Sequence, residues 1–286
     1  MDKKIKTLKN TFLGITVGFL SVLVGERYLQ NSQLLIPKEY KDIKMIVNKL
    51  GETNDLGDRP ITFTINPGKY VEWYAEDLKL CNEDKCHFYS SLDPFKKLKG
   101  EKAYEINDAM RQAYLFDNVQ GYSRSNGTIP ISRSTFRVFG DRKDFLACTI
   151  AHELDHFLTN DTFENSLKES QEGKNLDKEE RELMAARISR GSELDASNAA
   201  SLMLFKAGYP LETCLEETKF LYRVSGDGAE TKPDDSHLGY EDMISAMTTF
   251  TEKLKSNPPE KDIDKTKGRW KYRRNLNILI YTPKKN

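Results

Sequence analysis

Two histidines with a glutamate between them carry the clearest chemistry in this sequence. They lie in the segment IAHELDHF at 150–157, where His152 and His156 are four residues apart. On a helix this spacing places both imidazoles on one face, so that both can reach one metal ion. Zinc accepts neutral imidazole well, and Glu153 is placed to take a proton from water. The segment therefore predicts a catalytic zinc site with Glu153 as the general base.

The alternative is an ordinary amphipathic helix whose histidines bind nothing. Apolar residues at Leu146, Ile150 and Leu154 predict a helix over about 142–159, and Asp141 is its predicted N-cap. Such a stripe is compatible with either interpretation. Two of the four histidines in the chain fall in this one segment, and we therefore favour the metal site.

A catalytic zinc needs a third protein ligand and one open position. Glu193 is a candidate, because it lies near the start of a helix predicted over 192–207. Small residues follow on the same face at Ala196, Ser197 and Ala200, and they would let this helix pack closely against another. A surface position favoured by the helix dipole is the alternative for an acidic residue at a helix start.

Three ordered motifs together resemble one peptidase family. They are IAHELDH at 150–156, SRGSELDA at 189–196 and AGYP at 207–210. This set is similar to the gluzincin peptidases that include HtpX, CAAX prenyl protease and the periplasmic BepA-like proteins, over roughly residues 120–245. The resemblance implies a zincin-like zinc endopeptidase with one zinc ion per chain and Glu193 as the third ligand.

The resemblance also implies where a protein or peptide substrate would lie. The segment TIPIS at 128–132 reads as a short strand, and Pro130 places it at a sheet edge because proline cannot donate to a ladder. An extended peptide can add to such an edge. We therefore expect Thr128, Ile129 and Ile131 to contact the substrate.

Some positions depart from the pattern of the family. Ser197 stands where the family has an aspartate, while Leu238 and Met243 replace a proline and an arginine. His237 matches a histidine of the family and is expected to stabilise the oxyanion, with an exposed loop residue as the alternative. A hydroxyl orients a metal ligand less firmly than a carboxylate does. A second function therefore stays open: a zinc-binding, chaperone-like or interaction protein with weak or no proteolysis.

The rest of the chain predicts an α+β domain with a small antiparallel sheet and a helical second half. Strands are expected at 61–65 and 276–282, and a charged surface loop that passes into a helix at 167–182. Further helices are expected at 211–224 and 239–255.

The first thirty residues predict export. A cluster of four lysines precedes an uncharged segment at 11–25, which is the layout of a secretory signal. The segment is short for a bilayer span, but no clear cleavage site follows it. We favour a single-pass anchor over a cleaved signal peptide, and a buried N-terminal helix is the third possibility. The lysines would keep this end cytoplasmic. The zinc metallopeptidase-like domain, residues 31–286, would then lie on the periplasmic or lumenal side.

The cysteines bear on the same question of compartment. Cys81 and Cys86 flank four polar residues between strand-like stretches, which predicts a disulfide across a hairpin in an oxidising compartment. Free thiols, or a metal site with His87, are the alternatives. Cys148 and Cys214 fall in helical stretches, where two buried thiols and a second bridge both stay open.

Charge balance excludes other classes of protein. The chain has 44 Lys+Arg and 44 Asp+Glu, and 31% of its residues are charged. A multi-span membrane protein is excluded, and a dedicated nucleic-acid binder is disfavoured because it needs excess cationic charge. The basic and aromatic segment 265–274 is expected to be a solvated approach to the last strand, with attraction to anionic lipid as an alternative.

Overall fold

The computed structural model describes residues 36–66, 121–225, 228–259 and 266–284. The N-terminal segment and the Cys81–Cys86 pair lie outside these residues, so both predictions about them stand as made. No helix in the described ranges is long and apolar enough to cross a membrane.

The chain divides into two compact units, residues 1–41 and 42–286. The described part of the first unit is the short stretch 36–41, which includes the start of helix α1. The second unit contains the sheet, the other helices and the candidate site.

Helices and strands are both present in the described residues, which confirms the α+β class. In chain order the elements are α1 (Lys38–Gly51), β1 (Ile61–Asn66), β2 (Thr128–Ser132), α2 (Arg133–Phe139), α3 (Lys143–Thr159), α4 (Asp161–Glu172), a 3-10 turn (Gly173–Asn175), α5 (Lys178–Lys206), α6 (Thr213–Ser225), α7 (Tyr240–Ser256), β3 (Lys267–Arg273) and β4 (Ile278–Lys284).

The sheet is mixed, not antiparallel as expected. Its strand order is β2-β1-β4-β3. Strands β1 and β2 run parallel, whereas β4 is antiparallel to both β1 and β3. More than sixty residues of chain separate the two parallel strands, which is ample for the crossover that a parallel pair requires.

Strand β3 corrects the prediction for the segment 265–274. Lys267–Arg273 form a strand paired with β4, whereas the prediction had no strand here; the cationic side chains of this strand are exposed, as expected. Its side chains alternate, and Trp270 lies against Phe63 and Tyr281 with ring centroids 6.1 and 4.7 Å apart. The alternation of cations with aromatic residues is thus a strand pattern.

Helix α5 starts earlier than predicted. Asp177 and Glu180 form a capping box, in which each side chain accepts from the backbone N–H of the other. The helix therefore begins at Lys178, and the charged stretch 167–182 is largely helical. Its end is as predicted, with Gly208 just beyond it in the left-handed region at φ 76°.

Helix α3 packs against α5 and is joined to α6 by a disulfide. The predicted N-cap Asp141 is wrong, because Arg142 occupies the cap and the helix begins at Lys143. Of the two possibilities for the helical cysteines, the bridge is present: Cys148 is bonded to Cys214, with their Cα atoms 5.5 Å apart.

Candidate metal centre

Helices α3 and α5 bring the three predicted ligands together. The Nε2 atoms of His152 and His156 are 3.0 Å apart. Glu193 places its Oε2 atom 3.1 Å from the first and 3.4 Å from the second. Two nitrogens and one oxygen thus converge within 4.8 Å of one another, and this group could hold a metal ion.

The other ring nitrogen of each histidine has its own partner. His156 Nδ1 lies 2.7 Å from Asp161 Oδ2. His152 Nδ1 lies 3.3 Å from Ser197 Oγ, whose own proton goes to the Glu193 carbonyl oxygen at 2.9 Å. Both Nδ1 atoms can therefore donate a proton, which leaves the Nε2 lone pairs free for a metal. This outer support is typical of metal-binding histidines.

The charges of the three side chains favour a cation. Burial acts to lower the pKa of His156, but the carboxylates of Glu193, Glu153 and Asp161 together raise it to about 9. The pKa of His152 is raised through the same opposition. Burial acts to raise the pKa of Glu193, but the two histidines hold it well below its usual range. The cluster therefore attracts positive charge, as a metal site must.

Glu153 is buried beside this cluster. Its side chain belongs to a residue only 5% exposed, and its Oε2 atom has no hydrogen-bond partner among the described residues. Burial raises the pKa of Glu153, although the nearby histidines act to lower it. Gly121 lies directly against it, since a Cβ there would be 3.0 Å from Glu153 Cγ. A carboxylate in this setting can accept a proton and release it again.

His237 approaches the cluster from a loop at 228–239. Its Nε2 atom lies 3.4 Å from Glu193 Oε2, and its side chain is 66% exposed. Arg190 on α5 holds this loop by donating to the carbonyl oxygens of Pro233 and Asp235 at 2.9 and 2.5 Å. Gly239 lies at the end of this loop and packs tightly against Glu230, since a Cβ added to Gly239 would be 2.4 Å from the Glu230 backbone.

The predicted substrate strand lies at the sheet edge, but its outer side is occupied. Thr128 and Pro130 accept, through their carbonyl oxygens, the N–H groups of Arg124 and Tyr122 at 3.0 and 3.2 Å. Ile129 and Ile131 are fully buried. Segment 121–124 therefore lies between β2 and the cleft.

The cleft beside the metal cluster has a volume of about 960 Å³. Its lining includes the three ligands, the segment 121–124, the loop residues Leu238 and Gly239, and Met243 on α7. The cleft is large enough for several residues of a peptide.

Sequence reasoning missed Asp161 and Arg190 as contributors to the site. Asp161 follows Asn160, whose left-handed conformation at φ 60° ends α3 and turns the chain back toward His156. An asparagine directly after a predicted helix was the available signal. Arg190 belongs to the SRGSE segment. It lies on the side of α5 that faces the loop because α5 begins well before residue 190, which the sequence did not predict.

No protein-family model, no curated protein and no solved structure matches this chain. The resemblance to gluzincin peptidases accordingly stays a prediction, and the function is inferred from the site itself.

Proposed function

We propose that this protein is a zinc-dependent metalloendopeptidase with a zincin-like catalytic domain. The observation that carries the proposal is the convergence of His152, His156 and Glu193 beside the buried carboxylate of Glu153. Two imidazoles and one carboxylate are a donor set that zinc uses in catalytic sites with an open position. The Nδ1 atoms of His152 and His156 have hydrogen-bond partners, which leaves the two Nε2 atoms available as metal ligands.

A zinc ion bound there would polarise a peptide carbonyl and acidify water. Glu153 takes the proton of the attacking water as the new C–O bond forms. It then delivers that proton to the amine nitrogen as the C–N bond breaks, so that one carboxylate serves both steps. His237 is aimed into the same cleft and donates from Nε2 to the developing oxyanion.

The substrate in this proposal is an extended or unfolded protein segment. It pairs with the cleft side of segment 121–124, because the carbonyls of Thr128 and Pro130 are already engaged. Gly121 forms an antiparallel bridge with Ile131, and the N–H of the next residue, Tyr122, donates to the Pro130 carbonyl oxygen, so the N–H and C=O of Gly121 face away from β2.

The disulfide between Cys148 and Cys214 supports an oxidising compartment. With the predicted N-terminal anchor, the domain would act outside the cytoplasm. A second candidate function is a zinc-binding, chaperone-like protein with little turnover. The high exposure of His237 favours it, since an exposed donor stabilises an oxyanion less than a buried one.

The test compares zinc content and cleavage of an unfolded protein for the full chain and two variants. We expect Glu193→Ala to lose zinc and activity together. Glu153→Gln should keep about one zinc per chain and lose cleavage by roughly 10²–10⁴-fold, the contribution of a general base.

Glu230→Gln is the matched control, because Glu230 also lines the cleft but is exposed. It should keep both zinc and activity. Zinc binding with equal cleavage by wild type and Glu153→Gln would rule out the peptidase and leave the chaperone-like function. Absence of zinc from the wild type would remove the metal site itself.

A further inference from the structure

A second buried carboxylate lines the cleft away from the metal cluster. Glu217 on α6 is 7% exposed, and its Oε1 atom accepts a hydrogen bond from Thr149 Oγ1 at 3.2 Å. Thr149 lies one helical turn before Glu153 on α3, so Glu217 is adjacent to the proposed reaction centre. Within the described part of the chain, no hydrogen bond or ion pair joins Glu217 to His152, His156 or Glu193. Among the described residues, no lysine or arginine forms an ion pair with Glu217.

An unpaired buried carboxylate is unfavourable, because burial removes the water that would solvate its charge and nothing compensates for the loss. Burial accordingly raises the pKa of Glu217 to about 7. A buried acid of this kind in a cleft is a candidate for ligand binding. The Thr149 hydroxyl donates to one of the two carboxylate oxygens of Glu217, and the second oxygen is available to a ligand.

The position of Glu217 is rigid. Cys148 precedes Thr149 on α3, and Cys214 lies one turn before Glu217 on α6. Their disulfide fixes the two helices to each other at this point. The carboxylate is therefore held on packed helices rather than on a loop, which is the arrangement that a specific binding site requires.

Apolar residues of α6 and α7 line the same cleft as Glu217. They include Leu221, Met243 and Met247, and Met247 accepts a hydrogen bond from Thr218, the residue after Glu217. Apolar side chains and a carboxylate in one cleft suit a lysine or arginine side chain, whose aliphatic stem packs and whose cation needs a partner. A purely aliphatic side chain would leave the Glu217 carboxylate without a cationic partner.

The charge of the whole cleft favours the same ligand. Among the described residues, its lining contains one cationic side chain of the lysine or arginine type, Arg124, and six acidic residues. These are Glu153, Asp161, Glu193, Glu217, Glu230 and Asp235. Arg124 donates to the Tyr122 hydroxyl at 3.1 Å and lies over its ring. A divalent cation in the metal cluster would leave this described part of the lining net acidic.

We propose that Glu217 is the specificity-determining end of a subsite that binds a lysine or arginine side chain of the peptide substrate. This inference rests on the proposed function, which places an extended peptide substrate in the cleft. It adds the chemical class of substrate: segments with a basic residue at a fixed distance from the scissile bond.

The binding test uses the full chain carrying Glu153→Gln and loaded with zinc, so that no peptide is consumed. Two dye-labelled peptides differ only at one residue, arginine in one and citrulline in the other. Citrulline keeps the shape and loses the charge. We expect the arginine peptide to bind about tenfold more tightly, equivalent to about 1.4 kcal/mol. Adding Glu217→Gln should abolish the difference, and adding Glu230→Gln should preserve most of it.

Equal affinity for the two peptides, or no binding of either at millimolar concentration, overturns the inference. So does a preference that survives Glu217→Gln. The comparison of the two peptides needs no variant at position 217, so misfolding of Glu217→Gln cannot hide a negative result. Thermal unfolding and zinc content of that variant are measured beside it.

Mapping of cleavage sites in an unfolded protein separates the two proposals. Cleavage without enrichment of basic residues at any position would overturn the subsite and leave the peptidase. An arginine preference in binding, with no cleavage by the wild type, would overturn the peptidase and leave the subsite as a binding site for basic segments.

Discussion

The metal cluster and the His237 loop face the same cleft but are held in different ways. The three ligands project from two packed helices, and Ala196 and Ala200 beside them are fully buried. The loop at 228–239 is held by backbone hydrogen bonds and by the side chains of Arg190 and Thr231, and its histidine is mostly exposed.

Under the proposed function, this difference predicts that metal binding and turnover depend on separate parts of the molecule. Metal binding would require the two helices to stay in close contact. Turnover would in addition require a surface loop to stay in place. Changes in the helix pair should therefore abolish both properties, whereas changes in the loop should reduce turnover alone.

The largest effect is expected from overpacking the helix pair. Ala200 lies on the same stripe of α5 as Glu193 and Ser197, both of which reach His152. Ala200→Leu should lower the free energy of unfolding by about 1–3 kcal/mol. By separating the helices it should also weaken zinc binding more than about 100-fold, as a ligand moves out of reach.

Thermal unfolding and competition with a chelator measure the two quantities. Glu182→Leu adds the same side chain to an exposed position of α5 and should change neither. If Ala200→Leu bound zinc as tightly as wild type, close packing of the helices would not be what holds the cluster.

A smaller effect is expected from removing the support of the ligands. Asp161→Ala should weaken zinc binding about 10–100-fold, because the carboxylate no longer orients His156. Ser197→Ala should weaken it less, since a hydroxyl supports His152 more weakly than a carboxylate does. Zinc titrations of the two variants give the order, and the reverse order would contradict the assignment of Asp161 as the stronger support.

The smallest effect is expected in the loop. Arg190→Ala should lower kcat/KM about tenfold, equivalent to about 1.4 kcal/mol in the transition state, and should leave zinc content unchanged. Hydrogen exchange at 228–239 should rise. Arg187→Ala is the matched control, because that arginine pairs with Glu172 at the surface. Loss of zinc from Arg190→Ala would mean that the two parts of the cleft are not separable.

What the sequence predicts well is local. The pair His152 and His156 follows from helix periodicity alone, and Gly208 marks a helix end by its conformational freedom. The prediction of Glu193 as a ligand also required the ordered motifs, because the sequence of one helix does not indicate which second helix packs against it. Its predicted place at a helix start was wrong, because the capping box at Asp177 lies a full four turns earlier.

The contacts that the sequence did not predict are those between distant segments. The parallel pairing of β1 with β2, the closing of segment 121–124 over the strand edge and the meeting of Glu217 with Thr149 all join elements far apart in the chain. No residue type or spacing within either partner encodes such a meeting, because packing of the whole unit decides it.

Cys148 and Cys214 are separated by 66 positions in the sequence, and their disulfide closes a covalent loop that contains His152, His156 and Glu193. Closing a loop of this length restricts the unfolded chain by about 4 kcal/mol. The bridge thus brings the ligands nearer to one another before any ion arrives. The affinity of this cluster for a metal ion would in this way depend on redox state. Reducing the bridge would let the ligands move farther apart in the unfolded chain, so we expect a reducing environment to weaken metal binding.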